Sequence, residues 1–159
     1  MNRKIFMISL FIFAIDQVSK VIIDSSIALG ETISVIKNFF YLTYYQNYGA
    51  AWSILQNKTI FIIIGTILAL ILIYRYMYSF KMNKRNIAAF GLLTGGIVGN
   101  LVDRILNGYV IDFFQVEPFG YNFPIFNVAD MAIVIGVFLL VLAIIRGEDK
   151  IEKVSSRKK

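Results

Sequence analysis

Asp112 and Asp130 stand in apolar stretches, VIDFF and VADMA, and neither has a basic residue within four positions. No local partner neutralises them. Each is therefore a candidate functional group, given what it costs to keep a carboxylate in a greasy chain. The 159 residues contain no His and no Cys. That removes Ser-His and Cys-His catalysis, thiol chemistry, disulfides and His-based zinc sites. Two carboxylates held close together cannot both ionise easily, so one pKa rises and the pair shares a proton. The ionised member can activate a water while the protonated one donates to a carbonyl or a leaving amine. Aspartic-peptidase chemistry is one candidate among several that these residues allow.

Other polar residues are just as out of place. Asn100, Asp103 and Arg104 sit in GGIVGNLVDR, Asp16 and Lys20 in DQVSK, and Asn127 beside Asp130 in FNVAD. Asp16 and Lys20 are four apart with the acid first, the spacing of a structural pair on one helix face. Asp103 beside Arg104 reads either as an interfacial ion pair or as part of a site. Asn100 and Asn127 can equally satisfy backbone groups between helices. Gly91, Gly95 and Gly99 repeat every four residues and make a strip for close helix approach. Gly96, Asn100 and Arg104 form the neighbouring strip and point polar groups into the bundle. With Lys20 and Arg104 among the acids, no metal site is expected.

The elements that carry these residues follow from composition. The chain is 58% hydrophobic with a net charge of +6. That hydrophobicity points to a membrane surface for the basic loops rather than to nucleic acid. A hydrocarbon core of roughly 30 Å needs about 20 apolar residues in a helix. Four runs come close, at about 5–23, 59–78, 87–106 and 126–145. The first lacks a small-x-small cleavage pattern and is read as a span, not a signal peptide. With the N-terminus inside, the inner side holds 12 of the 16 Lys and Arg, leaving Lys20, Lys37, Lys58 and Arg104 outside. Both termini are then cytoplasmic. The expected fold is an all-α membrane protein of four transmembrane helices plus a small extracytoplasmic β-sheet at about 36–53. In that sheet Leu42, Tyr44 and Gln46 share one face, and Tyr41, Thr43 and Tyr45 the other. Residues 1–146 read as a single domain and 147–159 as a basic cytoplasmic tail, disordered by composition. Residues 107–125 read as a connecting loop. On this topology every unusual polar residue converges at one level, near the outer interface.

The motifs DQVSK (16–20), NYGAAWS (47–53), GGIVGNLVDR (95–104), GYVIDFF (108–114) and FNVAD (126–130) resemble, in order and spacing, the lipoprotein signal peptidase (signal peptidase II) family. The resemblance implies a bacterial enzyme of the cytoplasmic membrane. Such an enzyme cleaves signal peptides from prolipoproteins just before a diacylglyceryl-modified Cys, without a cofactor. It implies that Asp112 and Asp130 form the catalytic dyad. Asn47, Gly49, Asn100, Arg104 and Asn127 would line the substrate cleft and support the dyad. Asp16, Lys20 and Asp103 would be scaffolding. Membrane phospholipid, the lipid-modified substrate and globomycin-type peptide antibiotics are the partners it implies. One position departs from the pattern: Gln46 stands where many members have Arg, which weakens any contact to lipid phosphate or peptide carbonyl that Arg would make. A proton-coupled transporter is the first rival, but it calls for a carboxylate near mid-bilayer and often repeat symmetry. A non-enzymatic assembly factor is the second, and it has no need of two carboxylates without local partners.

Overall fold

The computed structural model describes residues 2–49 and 55–149. Four α-helices run Arg3–Ser26 (α1), Thr59–Met77 (α2), Lys84–Leu106 (α3) and Val128–Ile145 (α4), all long and apolar enough to cross a membrane. Three strands, Thr32–Ile36 (β1), Phe40–Asn47 (β2) and Val110–Val116 (β3), form one antiparallel sheet in the order β1-β2-β3.

Asparagines start three of the helices. The side chains of Asn2, Asn83 and Asn127 each accept from a backbone N–H of the first turn, satisfying a donor the helix itself leaves orphaned. Helix α3 is the hub, buried along much of its length between α1 and α4. Its glycines make this possible. A Cβ at Gly95 would lie 2.7 Å from the backbone oxygen of Ser9 on α1, and the strip Gly91-Gly95-Gly99 faces α1 throughout. Gly96 instead faces Ala129 and Ile133 on α4, and on α4 a Cβ at Gly136 would lie 2.9 Å from the backbone oxygen of Ala89 on α3. Helix α2 buries only Met77 and turns Ile60, Phe61, Leu68 and Leu72 outward, as a lipid-facing helix does.

Two apolar clusters cap the bundle. Ile5, Met77, Phe80, Ile87, Phe90 and Ala143 close the end at which α1 and α3 begin. Ile23, Ile27, Tyr44, Ile111 and Phe113 join the other end to the sheet. At the first end the chain stays bound beyond α4. Glu148 pairs with Arg85 and accepts from Asn83 at 2.7 Å and Asn86 at 3.0 Å. The expected free tail thus begins as a packed segment through Asp149; residues 150–159 lie outside the described residues.

The sheet differs from its expected form. It starts earlier, at Thr32, and takes its third strand from the segment read as a loop. The expected stretch 50–53 lies outside the described residues. The simple alternation in β2 is also broken. Leu42 pairs with Phe114 but Tyr45 pairs with Asp112, so Thr43 and Tyr44 together oppose the single residue Phe113. This is a β-bulge, and it reverses which face each later β2 residue presents. Thr43 and Tyr44 are consequently both buried. Tyr45 and Asn47 come round to the face of Asp112, where unbroken alternation would have put Tyr44 and Gln46.

Candidate active site

The site forms where α1, α3, the first turn of α4, and strands β2 and β3 meet. Its base is one lysine. Lys20 Nζ lies 2.8 Å from the carboxylates of both Asp16 and Asp103, and donates to Asn100 Oδ1 at 3.0 Å. All three of its N–H groups are used, and Lys20, Asp16 and Asp103 are almost wholly buried. Asp16 also accepts from the backbone N–H of Ala129 at 2.9 Å, tying α1 to the start of α4. Gln17 donates to Asp103 at 2.9 Å. The alternative pairing of Asp103 with its neighbour Arg104 does not form. Adjacent helical residues point about 100° apart, so Asp103 turns to Lys20 while Arg104 turns to Gly49, whose carbonyl accepts at 2.8 Å.

An ammonium only donates, and this fixes the orientation of two amides. Lys20 makes the side-chain oxygen of Asn100 an acceptor, which also takes an N–H from Asn127 at 3.1 Å. The Asn100 N–H is then left to donate to Asp130 Oδ1 at 2.8 Å. Asn127 accepts from the backbone of Asp130 at 2.9 Å and donates its own backbone N–H to Asp130 Oδ2 at 3.1 Å, a reciprocal cap. Its side-chain amide donates to Asp112 Oδ1 at 2.6 Å. The other oxygen of Asp112 accepts from Asn47 at 2.9 Å, a contact the bulge in β2 permits. Asn47 is itself held by the Gly49 N–H at 2.9 Å.

The candidate site residues Asp16, Lys20, Asn47, Gly49, Asn100, Asp103, Arg104, Asp112, Asn127 and Asp130 thus fall in one network. Asp112 and Asp130 each receive two N–H donors, and neither forms an ion pair among the described residues. Burial pushes the Asp112 carboxyl up to about 7, the charge of Asp130 pushes the same way, and Asn47, Lys20 and Asn127 restrain the rise. An acid poised there gives and takes protons at neutral pH. A cleft of about 380 Å³ opens beside Asn47, lined by Tyr45, Gln115, Asn122 and Phe123 to Ile125. No group of three or more His, Cys, Asp or Glu that could hold a metal ion occurs among the described residues.

The sequence brings Gln17 to the same end of α1 as Asp16 and Lys20 without giving it a role, and it does not point to the pairing of Asp24 with Tyr44, which lies outside this network. Tyr44 donates to Asp24 at 2.5 Å across 20 residues, and no spacing rule reaches that far. Asp24 gave one usable signal, its place four residues after Lys20 at the same end of α1.

The profile of signal peptidase (SPase) II matches residues 8–146. The chain belongs to the signal peptidase II family. A relative described as lipoprotein signal peptidase, from Staphylococcus aureus (strain JH9), is 41% identical over 152 residues, covering 92% of this chain and 93% of its own. Two solved structures, each described as a bacterial membrane enzyme determined by the in meso method, share the fold. One has a TM-score of 0.83 at 38% identity over 92% of this chain and 90% of its own. The other has a TM-score of 0.80 at 39% identity over 91% and 94%. This signal peptidase II homologue is therefore a multi-pass membrane protein of a protease family.

Proposed function

We propose that this family member is an aspartic endopeptidase that removes signal peptides from bacterial prolipoproteins, with Asp112 and Asp130 as its dyad. The observation that carries the reading is the setting of the two carboxylates. Asp112 is buried and Asp130 half-buried, and both are amide-bound and without ion pairs among the described residues, while the neighbouring acids Asp16 and Asp103 are matched to Lys20. In this reading one carboxylate is ionised and takes a proton from the attacking water. The other is protonated and donates to the scissile amide. Asn47, Asn100 and Asn127 hold the carboxylates in place, and Arg104 holds Gly49 at the rim. Asp16, Lys20 and Asp103 are scaffold.

The substrate bond is the one preceding a diacylglyceryl-modified Cys. Its lipid stays in the bilayer, so the reacting groups belong at the interface, and lipid binding energy can position the bond. The termini face the cytoplasm, and the site and sheet face the outer side of the bacterial cell membrane, by the distribution of Lys and Arg. Residues 1–146 act as one membrane-embedded unit among phospholipids, needing no cofactor. Globomycin-type peptides block the cleft. Cleavage of a purified lipid-modified prolipoprotein, read as a gel shift, tests the reading; no shift from folded enzyme sinks it.

A further inference from the structure

On the side of β2 away from Asp112 runs a chain of hydrogen bonds. Tyr48 donates to Gln46 Oε1 at 3.0 Å, Gln46 Nε2 donates to Tyr44 Oη at 3.1 Å, and Tyr44 donates to Asp24 Oδ1 at 2.5 Å. The direction is forced. Asp24 is exposed and, as a carboxylate, only accepts. Burial and the contact with Asp24 push the Tyr44 phenol up, so it remains a donor. Tyr44 must then accept from an N–H of Gln46, and the amide oxygen is left for Tyr48. The chain joins the end of α1 to the turn after β2. An amide is the one side chain of this length that donates at one head atom and accepts at the other. Glu cannot donate there, Arg cannot accept, and Met does neither.

We propose that Gln46 is a positioning residue: it clamps the end of β2 between α1 and the Tyr48–Gly49 turn and so holds Asn47 against Asp112. Gln46 and Asn47 are consecutive, so the clamp and the site lie on opposite faces of one strand. On the site face, Asn47 spans from the Gly49 N–H to Asp112, and Arg104 fixes the Gly49 carbonyl. Tyr48 is steadied by Tyr109, with ring centroids 5.3 Å apart. The neutral residue at this position is then matched to its two tyrosines. It is not an impaired version of a basic one.

The inference rests on the dyad reading for its kinetic arm. The charged groups that face Asp112 from other elements are Asp130 on α4, Lys20 on α1 and Arg104 on α3. The substitutions below leave all three in the chain. Gln46→Met keeps length and removes both hydrogen bonds. Tyr48→Phe keeps the ring and removes one. A loosened Asn47 donates less well to ionised Asp112, so that carboxyl should titrate at higher pH. Losing a net hydrogen bond corresponds to roughly a 3- to 10-fold effect. Expected for Gln46→Met are a kcat lower by about that factor and an acid limb of the pH–rate profile moved upward. Tyr48→Phe should move both the same way by less. The second readout needs no substrate: an infrared titration of the carboxyl band that Asp112→Asn abolishes. Its midpoint should rise in both variants. Unchanged midpoints and acid limbs in the folded variants would overturn the clamp. If Gln46→Met does not fold, Tyr48→Phe decides. If the unmodified enzyme fails to cleave, the peptidase reading falls and the infrared midpoint alone judges this inference.

Discussion

Asn127 donates its side-chain amide to Asp112 at 2.6 Å while capping the helix that carries Asp130. The two jobs can be separated. Asn127→Ser keeps a capping oxygen but is too short to reach Asp112. Asn127→Ala loses both, and loss of a cap costs about 1 kcal/mol. The Ser variant keeps the cap but leaves the buried acceptors on Asp112, Asn100 and Ile111 without this donor, so it should melt below the parent and cleave slowly, with its acid limb at higher pH. The Ala variant should melt lower still, by the worth of the cap. Melting curves and pH–rate profiles of the pair check this, and a Ser variant with full activity would detach Asn127 from the chemistry.

Lys20 should matter first for stability. Removing it as Lys20→Met leaves Asp16 and Asp103 buried without their cation. Breaking a buried ion pair from one side costs roughly 3–5 kcal/mol. The same change frees the Asn100 amide to turn over, which would aim its oxygen at Asp130. Adding Asp103→Asn to Lys20→Met should restore part of the lost stability. Thermal unfolding in detergent is the measurement. A single variant as stable as the parent would show that the triad is not ionised as drawn.

The helices were legible because a membrane span is a matter of length and apolarity, both local. So was the clustering of polar residues, since helix direction alone brings Asp16, Asn100 and Asp130 to one end. The third strand was not. VIDFFQV between two helices is short and apolar, and it becomes a strand only by pairing with β2, more than 60 residues earlier in the chain. The bulge at Thr43–Tyr44 was hidden for the same reason, and with it the face on which Asn47 lies. Asp103 was given its sequence neighbour Arg104 as a possible partner, whereas its cation comes from α1. What the sequence missed are pairings between distant segments, and these close the site.

The stability of the protein should depend on pH through Asp112. Its carboxyl sits at about 7 in the fold against 3.8 ordinarily, so the folded state holds the proton more tightly. Its contribution is fully present below about pH 4 and is lost as pH rises through about 7. Asp112→Asn removes this dependence. The variant should melt above the parent at pH 8, and the gap should close towards pH 4. A gap that widens on acidification would mean the carboxyl is held below its ordinary value.

Membrane orientation is open to a direct check. Reporters fused after Lys81 and after Lys159 should read cytoplasmic, and one inserted near Glu31 should read extracytoplasmic. A cytoplasmic signal at Glu31 would place the sheet and site on the wrong side for a secreted substrate.

The dyad itself gives the sharpest test. Asp112→Asn and Asp130→Asn keep size and much of the hydrogen bonding, but an amide can neither take up nor hand over the proton that peptide hydrolysis requires. Acid–base help of this kind is worth roughly 10²–10⁴-fold, and losing one member of a unit removes most of what the unit does. Each variant should lose nearly all turnover, and the double variant should be little worse than either. Substrate binding should survive, because the cleft beside Asn47 and the lipid contacts remain. The donors do not all survive. Asn127 and Asn47 point N–H groups at Asp112, so an amide there must turn one N–H towards a donor, a local cost set against the relief of a buried charge. Single-turnover cleavage of a lipid-modified substrate, measured beside binding and melting temperature, separates these effects. Near-normal cleavage by either folded variant would remove that aspartate from the reaction.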